Sequence, residues 1–518
     1  LAGDEVGAGG VTALSNGNYV VSSPFWNGDG GATSKVGAVT WGDGSSGTVG
    51  AVSAANSLLG TSDDDQLGIG GTVPLANGYY LIISYAWDNG GTTDVGAVTR
   101  ADGAGALTGA VSAANSLVGT NVDDQVGLGG ATVLSNGNYL VVSYAWDGPG
   151  GGTPITDVGA VTWVDGGSGL AGVVSVANSL VGSSNDDRVG ISGVTALANG
   201  HYVVLSERWN NGLAESAGAA TWGNGATGAT GVVSPANSLT GSAINDLVGA
   251  GGAVALANGN YVVLSPSWFN PSTAVATAGA VTWGNGSAGI AAAVSAANSL
   301  VGLATDDRVG YGGVAALADG NYVVVSPFWD NGIIADAGAV TRGDGAGGSV
   351  GAVSVANSLI GTTTADQVGG GGVTALTNGH YVACSPLWDN GATANAGAVT
   401  WLDGSVATSG ALSPANSLIG SQPFDTVGIG GASALGNGNY VVRSYNWANG
   451  GAADAGAVTW LSGAEPFTGV VSASNSLVGS AAGDLAGNAM VAALSDGNYV
   501  VHSPFWDNGG TLDAGAVT

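Results

Sequence analysis

The chain has 518 residues, of which 97 are Gly and only 8% are charged, against about a quarter in an ordinary soluble domain. Hydrophobic residues make up 45%, which separates it from collagen-like and disordered low-complexity chains. Its 36 acidic residues against seven Lys and Arg leave a net charge of −29, which repels phosphate backbones and anionic headgroups and argues against nucleic-acid binding.

One period organises everything else. The string GAVT, or a close variant, begins at Gly37, Gly96, Gly159, Gly218, Gly279, Gly338, Gly397, Gly456 and Gly515, in steps of 59, 63, 59, 61, 59, 59, 59 and 59. The longer steps come from short insertions such as Gly150 to Pro154. The chain therefore divides into nine units, 1–60, 61–119, 120–182, 183–241, 242–302, 303–361, 362–420, 421–479 and 480–518.

Each unit predicts four short strands. The first runs over Val11 to Leu14, and Asn16-Gly17 then reads as a two-residue type I′ hairpin turn. Tyr19 to Ser23 is the second strand and Gly37 to Trp41 the third, across a Gly/Asn/Asp-rich loop. The fourth runs through Gly50 to Ser53 toward Asn56, with room for one helical turn in Ala-Ala-Asn-Ser-Leu. Val, Tyr, Thr and Trp dominate these runs. The fold class is all-β: tandem four-stranded antiparallel units resembling β-propeller blades, or an open superhelical or solenoid array of the same units.

The run Val6-Gly7, Val11 to Leu14, Asn16-Gly17-Asn18-Tyr19, Ser23-Pro24 and Gly37-Ala38-Val39-Thr40 resembles the FG-GAP blade of integrin-α-type propellers. That blade has a Phe-Gly start, a Gly-Asp-Gly-Tyr turn, a Gly-Ala-Pro strand end and a Gly-Ala-Val-Tyr third strand. In overall style the repeats also resemble those of large secreted bacterial haemagglutinin or adhesin-like surface proteins. The FG-GAP family often places an Asp-rich calcium loop between its first two strands. Here Ser15-Asn16-Gly17-Asn18 stands there instead, so that site is not carried over.

Comparing units with each other exposes the columns that matter. Trp26, Trp87, Trp146, Trp209, Trp268, Trp329, Trp388, Trp447 and Trp506 recur in all nine and read as wedges between adjacent sheets. A second set, Trp41, Trp163, Trp222, Trp283, Trp401 and Trp460, gives way to Arg100 and Arg342 in two units, which reads as a half-exposed position. These six are the candidate ligand-facing aromatics. A Tyr after each hairpin, such as Tyr80 and Tyr322, reads as a buried ring with a wet hydroxyl. An Asp recurs ahead of each first strand, and Asn56 has a counterpart in eight units. The Asp column suits either backbone N–H acceptance in a loop or calcium, whose candidates are Asp65, Asp124, Asp187 and Asp307.

Catalysis finds little footing. His201 and His380 replace turn Asn residues, His502 lies in a strand, and no His–acid–nucleophile set, His/Cys metal cluster or phosphate loop stands out. The single cysteine, Cys384, reads as a small buried hydrophobe. No uninterrupted apolar run reaches the roughly 18 residues of a spanning helix. No signal peptide precedes Leu1, which reads as a mature product or a segment of something longer.

Nine copies of the first three strands stand against eight of the fourth, an imbalance that reads as continuation of a longer array or self-association through a missing strand. Two functions follow as expectations. One is an extracellular structural or adhesive repeat protein of a cell surface, fibre or matrix, without catalysis. The other is a glycan-binding, lectin-like or calcium-dependent binding propeller.

Overall fold

The computed structural model describes residues 3–28, 33–149 and 154–518, so most of the Gly150 to Pro154 insertion lies outside the described residues. It comprises two compact units, Leu1–Gly252 with Asn285–Ala293, and Ala253–Gly284 with Val294–Thr518. Both are all-β and built from the same repeat of about 59 residues. No helix is long and apolar enough to cross a membrane.

In the first unit, the first repeat sets the pattern. Val11–Ala13, Tyr19–Ser23, Ala38–Gly42 and Ser57–Leu59 pair antiparallel in that order, with Tyr19 opposite Gly42 and Thr40 opposite Ser57. A fifth strand, Gly109–Ala110, comes from the second repeat and pairs parallel with Ser57–Leu59. Three more five-stranded sheets follow in this unit, and the second unit holds three of five strands, one of four and one of three. None of these sheets closes on itself among the described residues.

The sheet is thus mixed rather than purely antiparallel, and the fourth strand falls later than the sequence predicts. The segment Gly50 to Asn56 and its counterparts split in two. The leading Gly-Ala or Gly-Val pair joins the preceding repeat's sheet, as Gly172–Val173 joins Ser116–Val118. A turn intervenes, and the Ser-Leu stretch then becomes the fourth strand of its own sheet. In that turn Asn56 Oδ1 accepts Ser53 N at 2.9 Å and Asn56 Nδ2 donates to Ala51 O at 3.0 Å. The side-chain amide supplies local bonds that reverse the chain, so one extended strand cannot run through it.

The hairpin also differs from expectation. Gly17 N donates to Leu14 O at 3.1 Å and Leu14 N to Asn18 O at 2.8 Å. Of the Asn16-Gly17 pair only Gly17 takes a positive φ, 87°. This is a type I turn followed by a left-handed Gly, the three-residue bulged loop, not a type I′ turn. Asn16 Oδ1 accepts Asn18 N at 3.1 Å, an Asx turn that keeps Asn16 out of the left-handed region.

The core lies between successive sheets. Leu14, Val20, Val39 and Leu58 of the first repeat pack with Tyr80, Ile82, Trp87 and Ala97 of the second. In the second unit Leu256, Val262, Leu264 and Val281 pack with Tyr322, Val324 and Trp329. Because both faces are covered, second strands such as Tyr139–Ser143 and Tyr322–Ser326 are buried at every residue rather than at alternate ones. Trp87, Trp146, Trp209, Trp329, Trp388 and Trp447 of the invariant column are buried in these seams, and Trp268 is buried as well. Each brings roughly 150–250 Å² of apolar surface. Cys384 is buried at the strand position that holds Leu205 and Val325 in sibling repeats, and burial pushes its thiol up to about 12.

From the second repeat to the eighth the column Tyr is buried whole, whereas Tyr19 and Tyr499 are half-buried. Tyr202 OH accepts Ala229 N at 2.9 Å, and Tyr381 OH bonds Thr408 Oγ1. Burial pushes Tyr80, Tyr139 and Tyr381 up to about 12. The preceding repeat's sheet packs over each ring, as Leu14 and Val20 do over Tyr80 and Leu81 and Ile83 over Tyr139.

Candidate functional site

The recurring polar columns converge on three arrangements. The first centres on one Gly carbonyl per repeat. Gly225 O receives Asn136 Nδ2 at 2.8 Å, Asn138 Nδ2 at 2.8 Å and Trp163 Nε1 at 3.0 Å, all from the preceding repeat. Gly103 O receives Asn16, Asn18 and Trp41 at 2.8, 2.9 and 2.8 Å. Gly286 O receives Asn199 and Trp222, both at 2.9 Å. In the second unit Gly345 O receives Asn258, Asn260 and Trp283 at 2.8, 2.9 and 2.9 Å, and Gly463 O receives Asn378 and Trp401 at 2.7 and 2.9 Å.

Only Gly fits at the acceptor. A Cβ on Gly225 would fall 1.7 Å from Gly200 O, because the hairpin of the same repeat lies directly against it. The same geometry explains why Arg replaces Trp at two positions. Arg100 Nη2 donates to Gly166 O at 3.0 Å, and Arg342 Nε donates to Gly404 O. What the column keeps constant is a planar N–H donor aimed at the next repeat, a property that indole and guanidinium share. Asp319, which stands where sibling repeats carry the hairpin Asn, lies 3.9 Å from the Arg342 guanidinium. His201 fits the same frame: its Nδ1 accepts Gly225 N at 3.0 Å, as Asn138 Oδ1 accepts Gly166 N at 3.0 Å.

Five of the six candidate aromatics therefore sit half-buried, with their N–H directed at a neighbouring repeat: Trp41, Trp163, Trp222, Trp283 and Trp401. Trp460 is 45% exposed. A different aromatic pair escaped the column comparison because it occurs in one repeat alone. Tyr311, 54% exposed, meets Phe328 edge-on at 5.0 Å.

The second arrangement is a carboxylate clasp. Asp187 Oδ2 accepts Ser183 N at 2.7 Å and Ser184 N at 2.8 Å, while Oδ1 accepts Asn210 N at 2.9 Å. Asp124 does the same with Thr120, Asn121 and Asp147, at 2.6, 2.7 and 2.9 Å. Asp65 takes Thr61, Ser62 and Asp88, at 2.5, 2.8 and 2.9 Å. Asp307 takes Leu303, Ala304 and Asp330, at 2.7, 2.8 and 2.9 Å. All four are buried, and burial raises their pKa values against the pull of those backbone donors.

Both oxygens of each clasp are thus engaged by N–H groups, whereas calcium takes about six to eight oxygen ligands. Among the described residues no group of three or more His, Cys, Asp or Glu is placed to hold a metal ion. The third arrangement is a buried hydroxyl chain. Thr162 Oγ1 and Ser179 Oγ are 2.7 Å apart, and Ser179 Oγ donates to Asn178 Oδ1 at 2.9 Å, which ties the third and fourth strands to the crossover turn.

No curated protein matches this chain. A family described as a repeat of unknown function (DUF5650) matches nine successive segments, 13–69, 74–128, 133–191, 196–250, 255–311, 316–370, 375–429, 434–488 and 493–518. Those nine segments cover most of the length, and the chain belongs to the DUF5650 repeat family.

Proposed function

We propose that this is an extracellular structural or adhesive repeat protein of a cell surface, fibre or matrix, without catalysis. One observation carries the reading. The recurring polar side chains with the most chemical potential, Asn136, Asn138 and Trp163 and their counterparts, are spent on the next repeat's backbone. The second to eighth repeats also lend a strand to their predecessors, as Gly231–Val232 does. Load applied along such a chain is borne by backbone ladders and side-chain staples together. The resemblance to FG-GAP blades and to bacterial adhesin-like repeats agrees with an adhesive role, and a net charge of −29 keeps a Gly-rich β-protein from collapsing onto its own copies. Electron microscopy tests it: elongated or laterally associated particles are expected, and isolated compact monomers under all conditions refute it.

The exposed rings of Trp460 and Tyr311 favour a second reading, a glycan-binding or calcium-dependent binding propeller. Glycan arrays and calcium titration calorimetry test that, and flat responses in both eliminate it.

A further inference from the structure

The sequence holds sixteen Asn-Gly pairs, and the fold treats them unequally. Asn-Gly is the dipeptide most prone to lose its side-chain amide. The Gly nitrogen, after giving up its proton to solvent base, attacks the Asn Cγ and expels ammonia to form a five-membered imide. Water then opens the imide to Asp or isoAsp. The step needs a free Gly N–H, a mobile Asn amide and water.

At the hairpins neither group is free. Gly137 N donates to Leu134 O at 3.0 Å while Asn136 Nδ2 is held by Gly225 O at 2.8 Å. Gly379 N and Asn378 Nδ2 are held in the same way, by Leu376 O at 3.1 Å and Gly463 O at 2.7 Å. The second family of pairs sits in the loop after the invariant Trp, where Asn89 N and Thr92 O are 3.0 Å apart across a tight turn. Asn27-Gly28 aside, where Gly28 N donates to Thr33 O at 2.9 Å, the Gly nitrogen there makes no hydrogen bond among the described residues, as at Gly90, Gly391 and Gly509.

This second family divides again. Asn211 Nδ2 donates to Gly241 O at 2.9 Å and Asn449 Nδ2 to Gly479 O at 3.0 Å, whereas Asn331 reaches Gly361 O only at 3.3 Å. Asn89, Asn390 and Asn508 have no such side-chain bond among the described residues, and Asn89 and Asn508 are exposed.

We propose that Asn89, Asn390 and Asn508 are sites of spontaneous deamidation, that Asn211, Asn331 and Asn449 are slower, and that the hairpin asparagines are the best protected. Each conversion adds a negative charge to an already acidic surface. At a hairpin it would turn a donor to the neighbouring carbonyl into an acceptor, so the fold shields the positions where the change would cost a junction.

The test is peptide mapping by mass spectrometry after holding the intact folded chain in mildly alkaline buffer, with a parallel sample in denaturant. In the folded chain Asn89, Asn390 and Asn508 are expected to convert first. Two bonds must open before a hairpin site reacts, so Asn136 and Asn378 should be at least about tenfold slower. In denaturant the ranking should vanish. Hairpin sites converting as fast as Asn89 in folded protein, or one order shared by folded and denatured samples, overturns the proposal. Asn390→Gln should silence its own site alone, which separates local chemistry from unfolding.

Discussion

The staple on Gly225 yields a graded prediction. Its carbonyl is buried and takes three donors, so Trp163→Phe removes one bond and leaves two. The net cost is about 0.5–1.5 kcal/mol. Removing all three donors, with Asn136→Ala and Asn138→Ala added, deletes about 3 kcal/mol of bonding and adds roughly 1–3 kcal/mol for an orphaned buried carbonyl. The last donor lost should therefore cost more than the first. Trp163→Arg should recover most of the single loss, since Arg100 performs the same task at 3.0 Å. Hydrogen exchange of the intact chain reads this directly, through amides of Tyr202–Ser206 and Ala219–Gly223. The triple variant should exchange more than about a hundredfold faster there, at about 1.4 kcal/mol per tenfold, while Trp163→Phe shifts them about tenfold or less. Equal effects of the single and triple variants, or no rescue by Arg, would refute the reasoning.

Other expectations follow from the same geometry. Asp307→Asn places an amide against N–H donors on one side of a buried clasp and should cost about 1–3 kcal/mol, read as a lower denaturant midpoint. Gly345→Ala puts a methyl 1.7 Å from Gly320 O and should push the sixth repeat's own hairpin off the carbonyl that Asn258, Asn260 and Trp283 hold, seen as exchange localised around Gly320. The pH dependence has an unusual sign. Asp65, Asp124, Asp187, Asp307 and Asp366 have folded pKa values above the ordinary one, so folded protein binds more protons than unfolded protein over that interval. These groups make stability fall as pH rises through the interval and return it on acidification. The melting temperature should therefore hold or rise as pH is lowered from neutral toward the carboxylate range, and a steep fall would show that the backbone donors, rather than burial, govern these carboxylates.

The period, the all-β character and the buried Trp column were legible in the sequence because they record local preferences: β-branched runs, turn residues and a fixed spacing of apolar groups. The bulged hairpin was half legible. Asn-Gly marks a turn, but the choice between a two-residue and a three-residue loop depends on which backbone groups Leu14 meets. The Trp/Arg column was visible as a column, and its meaning was not. Its shared property is a donor whose acceptor lies 62 to 66 residues ahead, and the hairpin Asn reaches the same carbonyl across 85 to 89 residues.

Tertiary structure alone decided three things: which carbonyl receives the staple, that Gly109–Ala110 serves the preceding repeat's sheet, and that the Asp carboxylates close on backbone N–H groups. The physical reason is common to all three. A side chain's type advertises what it can donate or accept, but its partner is set by how one sheet stacks on the next, and that packing leaves no mark within a single 59-residue window.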